Sequence, residues 1–212
     1  MLRSANSVIV LDFETTGLSP DQGDRVIEVG AVRIEDGEIV DRFQRLMNPG
    51  IPVNAFIENY TGISNTMLQD APPVAEVMAE FSEFIAGHNL VAHNASFDQR
   101  FLKAELKRIQ KPCANLFSCS MLAARRVYQL APNHTLGGLV SYKNIPTDGV
   151  FHRALADAEM TARLWLAMLY DIANIHNVSE LSFGSIQQLT RIPKQSALRF
   201  FRQLADASSL TC

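Results

Sequence analysis

The stretch Val8-Ile9-Val10-Leu11-Asp12-Phe13-Glu14 confines this chain more than any other. Its aliphatic, largely β-branched start reads as a strand over 7–13 buried on both faces, the kind found inside a sheet that helices cover. Two acids interrupt its end. Residues two apart on a strand share a face, so Asp12 and Glu14 project together, roughly 6–7 Å apart. At that spacing two carboxylates repel unless a cation lies between them. Acids beside a turn are also common without any metal, so the pair alone leaves both readings open. Thr15-Thr16-Gly17-Leu18 follows, a turn whose small residues let a ligand approach the backbone.

The rest of the chain places that strand in an α/β domain. Residues 26–34 and 39–47 read as two further strands joined at Glu35-Asp36-Gly37, because Asp-Gly between such runs signals a hairpin. Four prolines between 49 and 73 bracket an irregular stretch. Val74, Val77, Met78, Phe81 and Ile85 then recur at helical spacing and predict a helix over 73–86. Residues 90–92 read as a brief strand, and Asn94 as the N-cap of a helix carrying Phe97, Phe101, Leu102 and Leu106. A short strand at 116–117, a helix over 121–128, an unplaced region around Pro132 and Gly137-Gly138, and a long helix over 153–173 complete the pattern. Three leading strands followed by alternating helix and strand predict a mixed sheet flanked by helices over residues 5–173. Residues 174–212 form a helical C-terminal extension.

Charge and cysteine usage narrow the function classes. The net charge of −3 and pI near 5.9 exclude a chain-wide cationic field as the means of attracting nucleic acid. The sign is uneven, because Arg191, Lys194, Arg199 and Arg202 against Glu180 and Asp206 make the extension +2 while the rest of the chain is −5. Cys113, Cys119 and Cys212 are too few and too irregular for a disulfide framework or a closed zinc site, which predicts a reducing cytoplasm. No apolar run reaches the length of a signal sequence or a membrane span, so a soluble protein is expected.

Two later clusters add chemistry to the Asp12/Glu14 pair. His93-Asn94-Ala95-Ser96-Phe97-Asp98 puts a carboxylate on the first turn of a helix, where it either favours the helix dipole or joins a site. In His152-Arg153-Ala154-Leu155-Ala156-Asp157 the histidine converges with the acid most easily from the loop before the helix. Taken together, Asp12, Glu14, Asp98 and Asp157 offer hard oxygen ligands, which select Mg2+ or Mn2+ over zinc. Two such ions activate water and stabilise the leaving oxygen in phosphodiester cleavage, and one imidazole, His152, suits proton removal at neutral pH.

In sequence and order these three segments resemble the exonuclease motifs of the DnaQ-like family, and the histidine five residues before the last acid marks its DEDDh branch. The resemblance runs over about 7–173 and includes Tyr60-Thr61-Gly62-Ile63. It implies a ribonuclease H-like fold and 3′-to-5′ removal of nucleoside 5′-monophosphates from single-stranded or frayed DNA, with RNA as the rival substrate; the alternative from another class is a module that binds 3′ ends, or a polymerase, with little turnover of its own. It also implies two divalent cations on the four acids, His152 as general base, and a DNA polymerase as partner. By the same resemblance Thr15, Thr16, Leu18, Tyr60, Thr61, His93, Asn94 and Phe97 hold the terminal nucleotide.

Overall fold

The apolar runs at the start of the chain build the long half of a five-stranded sheet. In the computed structural model, which describes residues 4–147, 152–178 and 181–209, β1 (Val8–Thr15), β2 (Val26–Glu35) and β3 (Glu38–Leu46) form an antiparallel meander. Asp36 and Gly37 both take positive φ, 49° and 88°, as a type I′ hairpin requires. β4 (Leu90–Ala92) and β5 (Phe117–Cys119) add in parallel beside β1, giving the order β3-β2-β1-β4-β5.

Helices cover both faces. The remaining elements are α1 (Ala55–Thr61), α2 (Asn65–Gln69), α3 (Val74–Phe84), α4 (Ser96–Arg108), α5 (Ser120–Val127), α6 (Leu136–Tyr142), α7 (Ala154–His176), α8 (Phe183–Arg191) and α9 (Ala197–Ser209). The period of two along β1 divides the core. Ile9, Leu11 and Phe13 pack with Phe81 of α3 and Phe101 of α4, whereas Val8 and Val10 pack with Leu164, Trp165 and Met168 of α7. Asp12 and Glu14 continue the second series, so the strand directs both acids toward the α7 side.

Three local expectations change. Asn94 is not an N-cap: it sits at φ 65° in the left-handed turn after β4, and α4 starts at Ser96 behind Ala95 with no side-chain cap. The proline-bracketed stretch contains α1 and α2, whose Asn54 and Ser64 caps accept from Ile57 N and Met67 N. A small core of Ile27, Val53, Ile63 and Leu68 holds that arm to the sheet. The region around Gly137-Gly138 is helical, capped by Thr135. The extension supplies α8 and α9, whose Phe183, Ile186, Leu189 and Phe201 enter the same buried cluster as α7. Ala5 N donates to Leu181 O at 2.8 Å, and Trp165 Nε1 donates to Ala5 O at 2.9 Å, which sews the start of the chain between the two layers. Among the described residues no helix is long and apolar enough to cross a membrane. Cys113 and Cys119 are free thiols, and Cys212 lies outside the described residues.

Candidate active site

The carboxyl ends of β1 and β4 lie side by side because the two strands are parallel neighbours, and the chain leaves them in opposite directions. In open α/β sheets that divergence opens a crevice. Here it forms a cavity of about 700 Å³. Asp12, Glu14, Thr15, Thr16, Leu18, Tyr60, Thr61, His93, Asn94, Phe97, Asp98, His152 and Asp157 all line it, so residues separated by up to 145 positions converge.

β1 supplies Asp12 and Glu14, and α4 supplies Asp98 from its first turn. Phe13 N donates to Asp98 Oδ1 at 3.2 Å, which ties the first strand to that helix. Asp157 comes from the first turn of α7. Ligand atoms of Glu14, His152 and Asp157 lie within 4.8 Å of one another. His152 precedes α7 in the left-handed region, φ 62°, and its N–H donates to Asp157 Oδ2 at 3.0 Å. The loop geometry thereby turns the imidazole back toward the acid.

Packing fixes the first turn of α7 from below. Glu28, fully buried on β2, accepts from Arg153 Nη2 at 2.8 Å, Arg153 Nε at 3.1 Å and Ala154 N at 3.1 Å. Gln44 Nε2 donates to the same carboxylate at 2.9 Å. Glu28 thus caps the helix that carries Asp157, from the interior of the sheet. At Gly30, one register step from Glu28 on the same face, a Cβ would overlap the backbone of Ala154 and Leu155. Only glycine lets the helix approach this closely.

The electrostatics follow from crowding. Burial pushes Glu14 up to about 8, assisted by Asp157 and Glu28. Asp98 rises to about 7, again from burial, against the lowering effect of its backbone hydrogen bonds. Asp12 and Asp157 rise as well, Asp12 from burial and then from Asp98 and Glu14. Asp157 Oδ1 is buried and has no hydrogen-bond partner among the described residues. Buried carboxylates that repel one another, one with an orphaned oxygen, suit divalent cations, which supply the missing charge and ligand positions.

Other predicted residues are held with their polar atoms already engaged. Thr16 Oγ1 donates to Asp24 Oδ1 at 3.2 Å and accepts from Arg25 N at 3.0 Å, and Thr15 Oγ1 donates to Gly17 O at 2.6 Å. Thr61 Oγ1 donates to Ile57 O at 2.9 Å. His93 has one ring nitrogen 2.9 Å from Ser120 Oγ and the other 3.0 Å from His134 O, and burial lowers its pKa to about 4. It is therefore neutral at pH 7 and presents ring carbon to the cavity. Leu18 and Tyr60 stand at the rim, 74% and 50% exposed. Sequence reasoning missed Phe56, also at the rim and 69% exposed, which stacks on Tyr60 at 5.8 Å. Tyr60 in turn lies 4.0 Å from the His152 ring, so Phe56, Tyr60 and His152 form a continuous aromatic row across the mouth. An apolar i, i+4 pair, Phe56/Tyr60, was the available signal, hidden in a segment read as irregular.

The mixed sheet, its order and the acid cluster define a ribonuclease H-like nuclease domain. More particularly, the chain belongs to the exonuclease family RNase_T, whose model matches residues 9–165. The PolC-type DNA polymerase III of Caldanaerobacter subterraneus subsp. tengcongensis is 39% identical over 176 residues, 82% of this chain and 12% of that protein. The 3′-5′ exonuclease DinG of Bacillus subtilis is 36% identical over 186 residues, 87% of this chain and 19% of that protein. The chain thus spans less than a fifth of either relative. Among solved structures, exonuclease X in complex with 5′ overhanging duplex DNA aligns with TM-score 0.65 and 26% identity, covering 86% of this chain and 99% of that one. The nuclease domain of 3′hExo, a DEDDh family member bound to rAMP, shares the fold with TM-score 0.68 at 21% identity, covering 78% and 92%.

Proposed function

We propose that the domain removes nucleotides from the 3′ end of single-stranded or frayed DNA, releasing nucleoside 5′-monophosphates. The observation that carries this reading is the convergence of Asp12, Glu14, Asp98, Asp157 and His152 on one cavity, with a buried oxygen of Asp157 left unpaired among the described residues. Two Mg2+ or Mn2+ ions on the four acids would supply Lewis-acid activation of water and charge neutralisation at the scissile phosphate. The protein's own groups do the rest. His152 accepts the proton of the attacking water. Water oxygen bonds to phosphorus, the bond from phosphorus to the preceding 3′ oxygen breaks, and a new 3′ hydroxyl results. Leu18, Phe56 and Phe97 offer apolar surface to the terminal bases, and Thr15 and Thr16 hold the β1–β2 turn in place around them.

The PolC-type relative supports DNA as the polymer and a DNA polymerase as the partner in a replication or repair setting, and the DinG relative supports the 3′-to-5′ direction; the cytoplasm is the setting that the sparse cysteines favour. The test uses 5′-labelled single-stranded DNA and a matched RNA with the purified chain and Mg2+ or Mn2+. A ladder growing from the 3′ end, faster on DNA and stopped by chelation, is the expected result. Faster trimming of the RNA would reassign the substrate, and intact oligonucleotides of both kinds would overturn the reading.

A further inference from the structure

We propose that the seam between α5 and the turn joining α8 to α9 holds the phosphate backbone of the strand upstream of the bound 3′ end. The proposal deepens the reading above and rests on it. Arg125, Arg191 and Lys194 are exposed there, and none of them forms an ion pair among the described residues. The side-chain contact of Arg125 is the sulfur of Met121 at 3.8 Å. The three cations are set on a rigid joint. Arg126 donates to Ile192 O through Nε at 3.0 Å and Nη2 at 2.7 Å, and Gln129 Nε2 donates to Lys194 O at 2.9 Å. Burial and then the charge of Arg125 push the Arg126 guanidinium below its ordinary value, the opposite of what an adjacent carboxylate would do.

α5 links the seam to the cavity wall. α5 starts at Ser120, whose hydroxyl holds the His93 ring that forms the cavity wall, and an eight-residue helix spans about 12 Å. The Arg125 charge also reaches that imidazole and, after burial, helps lower its pKa. In a chain of net charge −3, whose cavity is lined with acids, unpaired cations on the helix that braces the cavity wall and on the turn packed against it match a polyanion whose end is in the cavity. The extension then has a use beyond closing the core, since its α8–α9 turn delivers two of the three charges.

The test compares the full chain with the triple variant Arg125→Gln/Arg191→Gln/Lys194→Gln on single-stranded DNA of 3 and 20 nucleotides across a salt series. Binding of the 20-mer without divalent metal is followed by anisotropy, and melting temperature checks the fold. If the seam holds backbone, the variant keeps its kcat and its KM on the 3-mer. On the 20-mer KM rises by one to two orders of magnitude near 0.1 M salt, and the slope of log affinity against log salt flattens by about 2, at roughly 0.7 per lost contact. Unchanged KM and slope on the 20-mer, or equal losses on both lengths, would overturn the proposal. Weakened 20-mer binding by the variant, with no cleavage of any substrate by the unmodified chain, would leave the seam standing and remove the exonuclease reading instead.

Discussion

Replacing Gly30 with alanine tests the positioning of the site without touching an acid. The added methyl would fall inside the van der Waals envelope of Ala154 C, Ala154 O and Leu155 N, all backbone atoms at the start of α7. Restoring ordinary carbon contact, about 3.5–4 Å, requires the helix terminus and β2 to separate by more than about 1 Å. The terminus cannot move alone, because Glu28 grips Arg153 and Ala154 N on one side and Asp157 holds His152 N on the other. Overpacking of this kind costs roughly 1–3 kcal/mol of stability. A misplacement of about 1 Å at a catalytic group costs on the order of 10²-fold in rate. Steady-state degradation of a labelled oligonucleotide should therefore show kcat lower by about two orders of magnitude, alongside a lower melting temperature. A Gly30→Ala protein with normal kcat would refute the argument that Gly30 sets the position of Asp157.

Three further outcomes are expected. Because the folded pKa of Glu14, about 8, lies above its unfolded value of 4.5, the native state holds the extra proton across that window, and metal-free stability should fall as pH rises from about 4.5 to 8. Mg2+ or Mn2+ should restore it most at the alkaline end, and Asp12→Asn should raise the metal-free melting temperature at pH 8 while abolishing cleavage; a flat pH profile in calorimetry would contradict the crowding argument. His152→Ala should reduce kcat by roughly 10²- to 10⁴-fold with the melting temperature little changed, and near-normal turnover would assign the proton to another group. Phe56→Ala should raise KM on single-stranded DNA by roughly 5- to 150-fold with little change in kcat if the ring stacks on a base, and an unchanged KM would leave it a bystander of Tyr60.

The site was legible because its chemistry is written in short local strings. Asp12 and Glu14 stand two apart at the end of an apolar run, and strand periodicity alone places them on one face. The long periodic pattern of α7 and the Asp-Gly hairpin are equally local, and the structure follows them to within a few residues. What escaped depends on partners far away or on elements too short to show a period. Helices of seven and five residues, α1 and α2, complete two turns at most, and their caps rather than their apolar residues define them. Glu28 belongs to the first kind. Its partner Arg153 is 125 residues away, and β2 lies inside the sheet rather than at its edge. Asn94 has the composition of a cap but takes the left-handed turn that the step from β4 to α4 needs.

The indole of Trp165 has a practical consequence. It is the chain's one tryptophan, it is fully buried, and its N–H ends on Ala5, whose own N–H ends on Leu181. Its fluorescence is thus an optical gauge of whether the leading strand and the trailing helices are seated together, readable while the acid cavity is left undisturbed by any label.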